Sequence, residues 1–208
     1  MTNHEAPEVR AVGHADHEPA DHESADHESA DHEPADHEHG DHERSAMRAV
    51  LGVVITVSDR CARGEAEDRS GPLAATLLAD LGVRADVVVV PDGVESVRAA
   101  VGDALAAGAR LVLTTGGTGI GPRDVTPEGT RPLLARELPG LAQAIRDRGA
   151  AKLPAAVLSR GLAGIAAGRD GEVLVVNAPG SPGAVRDAVA VLGPLVGHVL
   201  DQLAGGAH

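Results

Sequence analysis

The stretch from Leu111 to Glu128, L-V-L-T-T-G-G-T-G-I-G-P-R-D-V-T-P-E, constrains the fold of this chain more than any other. Leu111-Val112-Leu113 is a short apolar run bounded by turn residues and reads as a buried strand. That strand delivers a loop in which Gly116, Gly117, Gly119 and Gly121 can take positive φ and leave backbone N–H groups bare. The hydroxyls of Thr115 and Thr118 add donors. Thr126-Pro127-Glu128 then carries a helix-start signature, with Thr126 at the N-cap and Pro127 at the first helical position. A strand feeding a donor-rich loop and then a helix N-terminus is an α/β arrangement suited to an anion. Neither standard glycine-loop fingerprint applies, because no Lys-Ser/Thr follows the glycines and the G-x-G-x-x-G spacing is missing. A tight glycine turn without a ligand is the plain alternative, and the adjoining Arg123-Asp124 pair weighs against it.

The same alternation runs through the body of the chain, residues 47–208. Arg48 to Val57 reads as a first strand, and Ser70-Gly71-Pro72 opens a helix whose Leu73, Leu77, Leu78 and Leu81 mark one buried face. Val87 to Val90 is a second strand closed by Pro91-Asp92, and Ser96 to Ala107 a second helix before the strand at 111–115. A β-α-β-α-β order with short connections implies a parallel sheet covered by helices. Further on, Thr130 to Glu137 and Leu141 to Arg148 read as helices separated by Pro139-Gly140. Leu162 to Ala167 and Glu172 to Asn177 read as a strand pair turned at Arg169-Asp170-Gly171. A final helix from Pro182 to Leu203 is expected to bend or break near Gly193-Pro194.

Charge sets the first 46 residues apart. They hold 14 Asp/Glu against 2 Arg, leaving 17 acidic and 16 basic groups in the body. From Ala15 to Arg44 the motif A-D-H-E-x recurs six times, its last copy opening with Gly40, and nine of the 11 histidines lie in the first 46 residues. Such a sequence has no apolar surface to bury, so 1–46 is expected to be a disordered tail. Imidazoles flanked by carboxylates are competent to collect divalent metals, while a solvated acidic tail that adds solubility is the favoured reading. The near-neutral body lacks the basic stripe of a nucleic-acid binder. No stretch is expected to reach transmembrane length, the N-terminus lacks a secretory layout, and a single Cys61 cannot form an internal disulfide. Together these point to a cytoplasmic protein without membrane or nucleic-acid partners.

Ligands of doubly wound sheets bind beyond the carboxyl ends of the strands, where strand order switches. Four polar loops fall there: Ser58-Asp59-Arg60, Asp92, Thr115 to Asp124, and Asn177-Ala178-Pro179-Gly180-Ser181-Pro182. Ser181 as N-cap with Pro182 behind it offers a second helix start to an anion. Two anion sites suit a nucleotide together with a phosphorylated cosubstrate.

S-D-R at 58–60, D-R-S-G-P at 68–72, P-D at 91–92, T-T-G-G-T-G at 114–119, P-R-D-V-T-P-E at 122–128, L-S-R at 158–160 and N-A-P-G-S-P at 177–182 occur in order with compatible spacing. Together they resemble the molybdopterin-binding MogA/MoaB family, including the gephyrin G domain, over essentially all of 47–204. The resemblance implies a three-layer α/β/α fold with a mostly parallel central sheet, assembled as a homotrimer or hexamer. In adenylyltransferase members it implies that ATP and molybdopterin react with magnesium to give adenylylated molybdopterin and pyrophosphate, upstream of a molybdenum insertase partner. A MoaB-type member that binds molybdopterin without catalysis is the alternative within the family. A metal-handling scaffold acting through the His-rich tail is the alternative outside it.

Carried onto this chain, the resemblance makes Asp92 and Asp124 the functional aspartates, as catalytic groups and as magnesium ligands, since hard carboxylates suit that ion. Turn or helix capping is what either would otherwise do. The substrate-binding set is Ser58, Asp59, Thr115, Gly116, Gly117, Thr118, Gly119, Ser159, Arg160, Asn177, Pro179, Gly180 and Ser181. Ser159 and Arg160 are placed to clamp a phosphate or the pterin, whereas Asp59 and Arg60 equally suit a local ion pair. Two departures stand out: the chain has no Phe, Tyr or Trp on which to stack a ring, and Gly183 stands where many relatives carry a basic residue.

Overall fold

In the computed structural model, which describes residues 50–206, the alternation of apolar side chains along each strand divides the core in two. β1 (Val50–Val57) pairs in parallel with β2 (Val83–Val90) on one side and with β3 (Leu111–Thr115) on the other. β3 continues in parallel to β6 (Gly171–Ala178), whose antiparallel neighbour β5 (Ala163–Gly168) carries the antiparallel edge strand β4 (Leu134–Glu137). The sheet order is β2-β1-β3-β6-β5-β4. Successive residues point to opposite faces, so Val54, Leu111, Leu113, Leu174 and Val176 join one cluster, while Ile55, Val112, Val173 and Val175 join the other. Helices α2 (Ser70–Ala79), α5 (Pro139–Ala150) and α6 (Pro182–Leu203) close the first face, and α3 (Val94–Ala106) closes the second. The result is the expected three-layer α/β/α domain with a mostly parallel sheet.

Two short helices bracket the site. α1 (Asp59–Ala62) is capped by Ser58, whose hydroxyl accepts from the Cys61 N–H at 3.3 Å. It was expected as loop. α4 (Thr126–Thr130) follows the glycine loop.

Several expectations are corrected. Thr130 to Glu137 is not a helix: Pro132 has no N–H to continue α4, the chain tightens into a 3₁₀ turn at Arg131–Leu133, and residues 134–137 form β4. Pro139 does not separate two helices but opens α5, where a missing N–H costs nothing. β2 begins at Val83 rather than Val87, because its polar Arg84 and Asp86 lie on an edge strand. α6 runs unbroken past Pro194; the cost of about 3 kcal/mol for an interior proline is offset by burial on both sides of it, with Leu192 and Val196 at 0% and 4% exposure. By length and composition α6 could also cross a membrane, contrary to the expectation that no segment would. Here its apolar face, including Val185, Ala188, Leu192 and Val196, packs into the first core cluster. The tail at 1–46 lies outside the described residues.

Candidate functional site

Strand order reverses between β1 and β3, since the connection after β1 leads to β2 on one side and the chain then returns to β3 on the other. The crevice at their carboxyl ends is where the polar loops meet. Its far wall is the segment after β6, held by three bonds: Gly116 N–H donates to the Ala178 carbonyl at 3.0 Å, Thr115 Oγ1 to Pro179 at 3.1 Å, and Ser70 Oγ to Gly180 at 2.8 Å. Asp68 anchors the last of these contacts. Its carboxylate accepts from the N–H groups of Ser70 (3.0 Å) and Gly71 (2.9 Å) at the start of α2 and from the Thr56 hydroxyl at 2.7 Å.

The glycine loop turns by positive φ at Gly116 (108°) and Gly117 (63°), while Gly119 and Gly121 use ordinary angles. Gly116 is irreplaceable on two counts, because a Cβ there would also sit 2.3 Å from the Val57 carbonyl oxygen. Thr126 closes the loop from below, donating its hydroxyl to the Gly116 carbonyl at 2.9 Å and its N–H to the Gly117 carbonyl at 3.0 Å. It is therefore inside α4 and not its cap, a place taken by Val125, and five residues give that helix little macrodipole. The cradle depends instead on backbone donors. Among the described residues the N–H groups of Gly117, Thr118, Gly119 and Ile120 have no protein acceptor, which is the concave donor array that binds oxyanions.

Asp124 and Arg160 shape this array from outside. The Asp124 carboxylate accepts from the Gly121 N–H at 2.8 Å through Oδ2, and among the described residues its Oδ1 has no partner. Arg160 straps the loop: its backbone N–H reaches the Thr118 carbonyl and its Nε the Gly119 carbonyl, both at 2.7 Å, while its terminal nitrogens bond the Asp124 carbonyl and Glu128. The hydrogen bond from Arg160 holds the Glu128 carboxyl below the ordinary carboxylate range and raises the guanidinium in turn. Ser159, next in chain, donates to Thr118 Oγ1 at 3.2 Å. With its donors committed to the protein, Arg160 is a loop support more than a phosphate clamp.

Asp59 and Asp92 meet across the carboxyl ends of β1 and β2. Each carboxylate accepts the other's backbone N–H, at 3.0 and 3.1 Å. The Asp59 carboxylate also pairs with Arg123, whose guanidinium reaches the Asp92 carbonyl at 3.4 Å. Asp59 thus forms ion pairs, but with Arg123 and, at 3.7 Å, with Arg63 rather than with Arg60. Among the described residues Asp92 Oδ1 has no partner. No group of three or more metal-ligating side chains exists among the described residues. The two free carboxylate oxygens of Asp92 and Asp124 fit magnesium in the manner usual for nucleotide enzymes, one or two carboxylates with phosphate oxygens completing the shell.

Two hollows flank the Pro179–Pro182 segment. A wider cleft of about 350 Å³ lies over β1 and β3, lined by Ser58, Asp68, Ser70, Thr115 and Gly180. A smaller one of about 160 Å³ lies between α5 and α6, lined by Ser159, Asn177, Pro179 and Ser181 with the apolar Ile145 and Ala156. Ser181 caps α6 as expected, accepting from the Ala184 N–H at 3.2 Å. Asn177 is 3% exposed and bonds Thr114 and Thr130 through its amide nitrogen and the Leu162 N–H through its oxygen. The structure therefore gathers Ser58, Thr115 and Gly180 in the wider cleft and Ser159, Asn177, Pro179 and Ser181 in the smaller hollow, with the glycine loop tied to Ser159 through Thr118. Sequence reasoning quoted Asp68 within a motif but did not name it as a site residue, and it missed Arg146, Lys152 and Asp187, which line the smaller hollow. Asp68 had a signal, a carboxylate two residues ahead of a helix start; Asp187 had another, a charge among the buried positions of α6.

A family model described as "Probable molybdopterin binding domain" matches residues 53–198. The chain is 42% identical over 164 residues to a molybdenum cofactor biosynthesis bifunctional protein of Synechococcus elongatus, covering 78% of this chain and 50% of that one. It is 41% identical over 148 residues to a molybdopterin adenylyltransferase of Pyrococcus furiosus, 71% of this chain and 87% of that one. The crystal structure of a molybdopterin biosynthesis protein from Mycobacterium abscessus superposes with a TM-score of 0.70 at 47% identity, covering 76% of this chain and 98% of that one. This chain thus spans about half the length of the bifunctional relative. With the fold, the ordered loops and the matched span in agreement, the chain belongs to the molybdopterin-binding domain family of molybdenum cofactor biosynthesis.

Proposed function

We propose that this chain adenylylates molybdopterin, using Mg-ATP and releasing pyrophosphate. The observation that carries the reading is the pair of hollows divided by Pro179–Pro182, with a backbone donor array and two half-free carboxylates at the strand ends beside them. A transferase with two phosphorylated substrates needs two adjoining compartments, and the smaller hollow suits the pterin while the wider cleft and glycine loop suit the nucleotide.

In the proposed step, the terminal phosphate oxygen of molybdopterin attacks the α-phosphorus of ATP. A new P–O bond forms, the α–β bridge breaks, and its electron pair leaves with pyrophosphate. Catalysis of this kind is positioning plus charge stabilisation. The N–H groups of Gly117 to Ile120 bind phosphate oxygens, Gly116 lets the ligand reach bare backbone, and Arg123 fixes Asp59 so that Asp59 fixes Asp92. Magnesium, held by Asp92 and Asp124, would supply neutralisation of the phosphate charge. Ser159 and Ser181 line the wall at which the molybdopterin phosphate would enter.

The test is incubation of the full chain with molybdopterin, MgCl₂ and ATP, following pyrophosphate and the adenylylated product. A folded preparation that binds molybdopterin and yields neither product would instead be a MoaB-type binding protein. We also place the protein in the cytoplasm, as a homotrimer or hexamer that passes product to an insertase. Support for assembly comes from the edge strand β2, where Val87, Val88 and Val89 are 38–43% exposed; a monomer mass in light scattering would exclude it.

A further inference from the structure

Asp187 lies on α6 with its side chain 7% exposed, yet it lines the small apolar hollow. Its Oδ1 carries both of its ion pairs, one to Lys152 and one to Arg148 at 3.4 Å. Its Oδ2 has no partner among the described residues. The side chain borders a cavity whose apolar wall is Ala142, Ile145, Ala156 and Pro179 and whose polar lining includes Arg146, Lys152 and Asn177, so a carboxylate oxygen without a protein partner is an acceptor open to a ligand. The hollow, of about 160 Å³, is the smaller of the two, and apolar walls with a few polar groups are the usual lining of a site for a flat heterocycle.

From this we infer that Asp187 is a specificity-determining residue that reads the donor edge of a 2-amino-4-oxopyrimidine ring. The inference rests on the proposal that the small hollow takes the pterin. Such a ring presents two adjacent donors, N3–H and the 2-amino group, and a carboxylate oxygen is the matching acceptor. Adenine presents an amino donor beside an acceptor nitrogen, which the same carboxylate repels. Lys152, which also lines the hollow, and Arg148 balance the charge of Asp187 at Oδ1, which leaves Oδ2 as the acceptor. In the absence of any aromatic ring for stacking, this edge contact would distinguish a pterin from any other flat ring that the aliphatic walls accept.

The full-length chain offers a direct test, because without Phe, Tyr or Trp it adds almost no ultraviolet fluorescence of its own. Titration into 6-hydroxymethylpterin and into the corresponding lumazine, which carries a carbonyl in place of the 2-amino group, is read by ligand fluorescence. The wild type is expected to bind the pterin at least tenfold more tightly. Asp187→Asn is expected to bring the two affinities within threefold by weakening the pterin, with lumazine binding kept as the sign that the variant folds. Equal affinities in the wild type, an undiminished ratio in Asp187→Asn, or displacement of the pterin by adenosine alone would each overturn the assignment. The wild-type comparison stands even if the variant fails to fold. Pyrophosphate release measured in parallel separates the two readings. Turnover without ring discrimination removes the role of Asp187 and leaves adenylylation, whereas discrimination without turnover does the reverse.

Discussion

Asp59 and Asp92 cap one another, each carboxylate accepting the other's backbone N–H at 3.0 and 3.1 Å. Like-charged side chains 33 residues apart are brought together because each is bound to a peptide dipole, and Arg123 offsets the combined charge. The consequence is mechanical. The loops after β1, β2 and β3 are joined through these three side chains, so the position of Asp92 depends on Asp59, and that of Asp59 on Arg123.

Substitution should separate the two aspartates by role. Asp92→Asn removes a charge at the reacting phosphates and is expected to lower kcat about 100-fold or more, with little change in melting temperature, since an amide oxygen still accepts from the Asp59 N–H. Asp59→Asn keeps one acceptor but loses the Arg123 pair. It is expected to lower kcat less than Asp92→Asn and to cost about 1 kcal/mol, or about 2–4 °C in Tm for a domain of this size. Pyrophosphate release and thermal melts on both variants give the comparison. An Asp59→Asn defect as deep as that of Asp92→Asn would make Asp59 a catalytic group.

Two glycines should respond in opposite directions to the same change. Gly116→Ala forces a Cβ to 2.3 Å from the Val57 carbonyl at a φ of 108°, and the backbone conformation alone is expected to cost about 1–3 kcal/mol before the clash is counted. Gly183→Ala meets nothing nearer than the Ser181 hydroxyl at 4.0 Å, so it is expected to stabilise by about 0.5 kcal/mol. Urea unfolding of both variants decides the point. A neutral Gly116→Ala would show that the loop can turn another way.

The frame of this fold was legible because its signals are local. A buried strand, glycines and a helix start placed the loop at 111–128, and the alternation of apolar side chains on β1, β3 and β6 follows directly from their sequence. What escaped depends on distant partners. Residues 134–137 have the composition of a helix and become a strand only because Pro132 stops α4 and β5 offers an edge. The pairing of Asp59 with Asp92 joins two loops that no local pattern connects, and Arg160 looks like a surface charge until its four acceptors are seen. Asp187 could be flagged as a buried charge, but its free oxygen and the cavity beside it exist only in the folded chain.

The Arg160–Glu128 contact carries a pH signature. Because hydrogen bonding to Arg160 lowers the Glu128 carboxyl in the folded state, the folded chain binds that proton less well than the unfolded one. Its contribution to stability is therefore complete above the ordinary glutamate range, roughly pH 4.3, and is lost as pH falls through the lowered folded value. With both side chains 40–45% exposed, solvent screening keeps the effect to a few tenths of a kcal/mol. Glu128→Gln is expected to flatten that part of the acid limb in a pH series of urea midpoints, and an unchanged limb would show that the pair contributes nothing.

Asn177 offers the sharpest test of how the site is supported, since it lines the small hollow and braces three elements at once. Its amide nitrogen donates to Thr114 on β3 at 3.0 Å and to Thr130 on α4 at 3.1 Å, and its oxygen accepts from the Leu162 N–H ahead of β5 at 3.2 Å. Asn177→Ala strands the Leu162 N–H in a buried position while the two hydroxyls can turn to other acceptors, so a loss of about 2–4 kcal/mol is expected. Asn177→Asp keeps the acceptor for Leu162 but buries a carboxylate at a 3%-exposed position against the Thr130 hydroxyl, which already donates to the Thr126 carbonyl, so it is expected to be no more stable than Asn177→Ala. If Asn177 also touches the ligand, both variants will raise the KM for molybdopterin at temperatures where they are fully folded. If it only braces the wall, KM at those temperatures will match the wild type, and a raised KM there would establish direct contact.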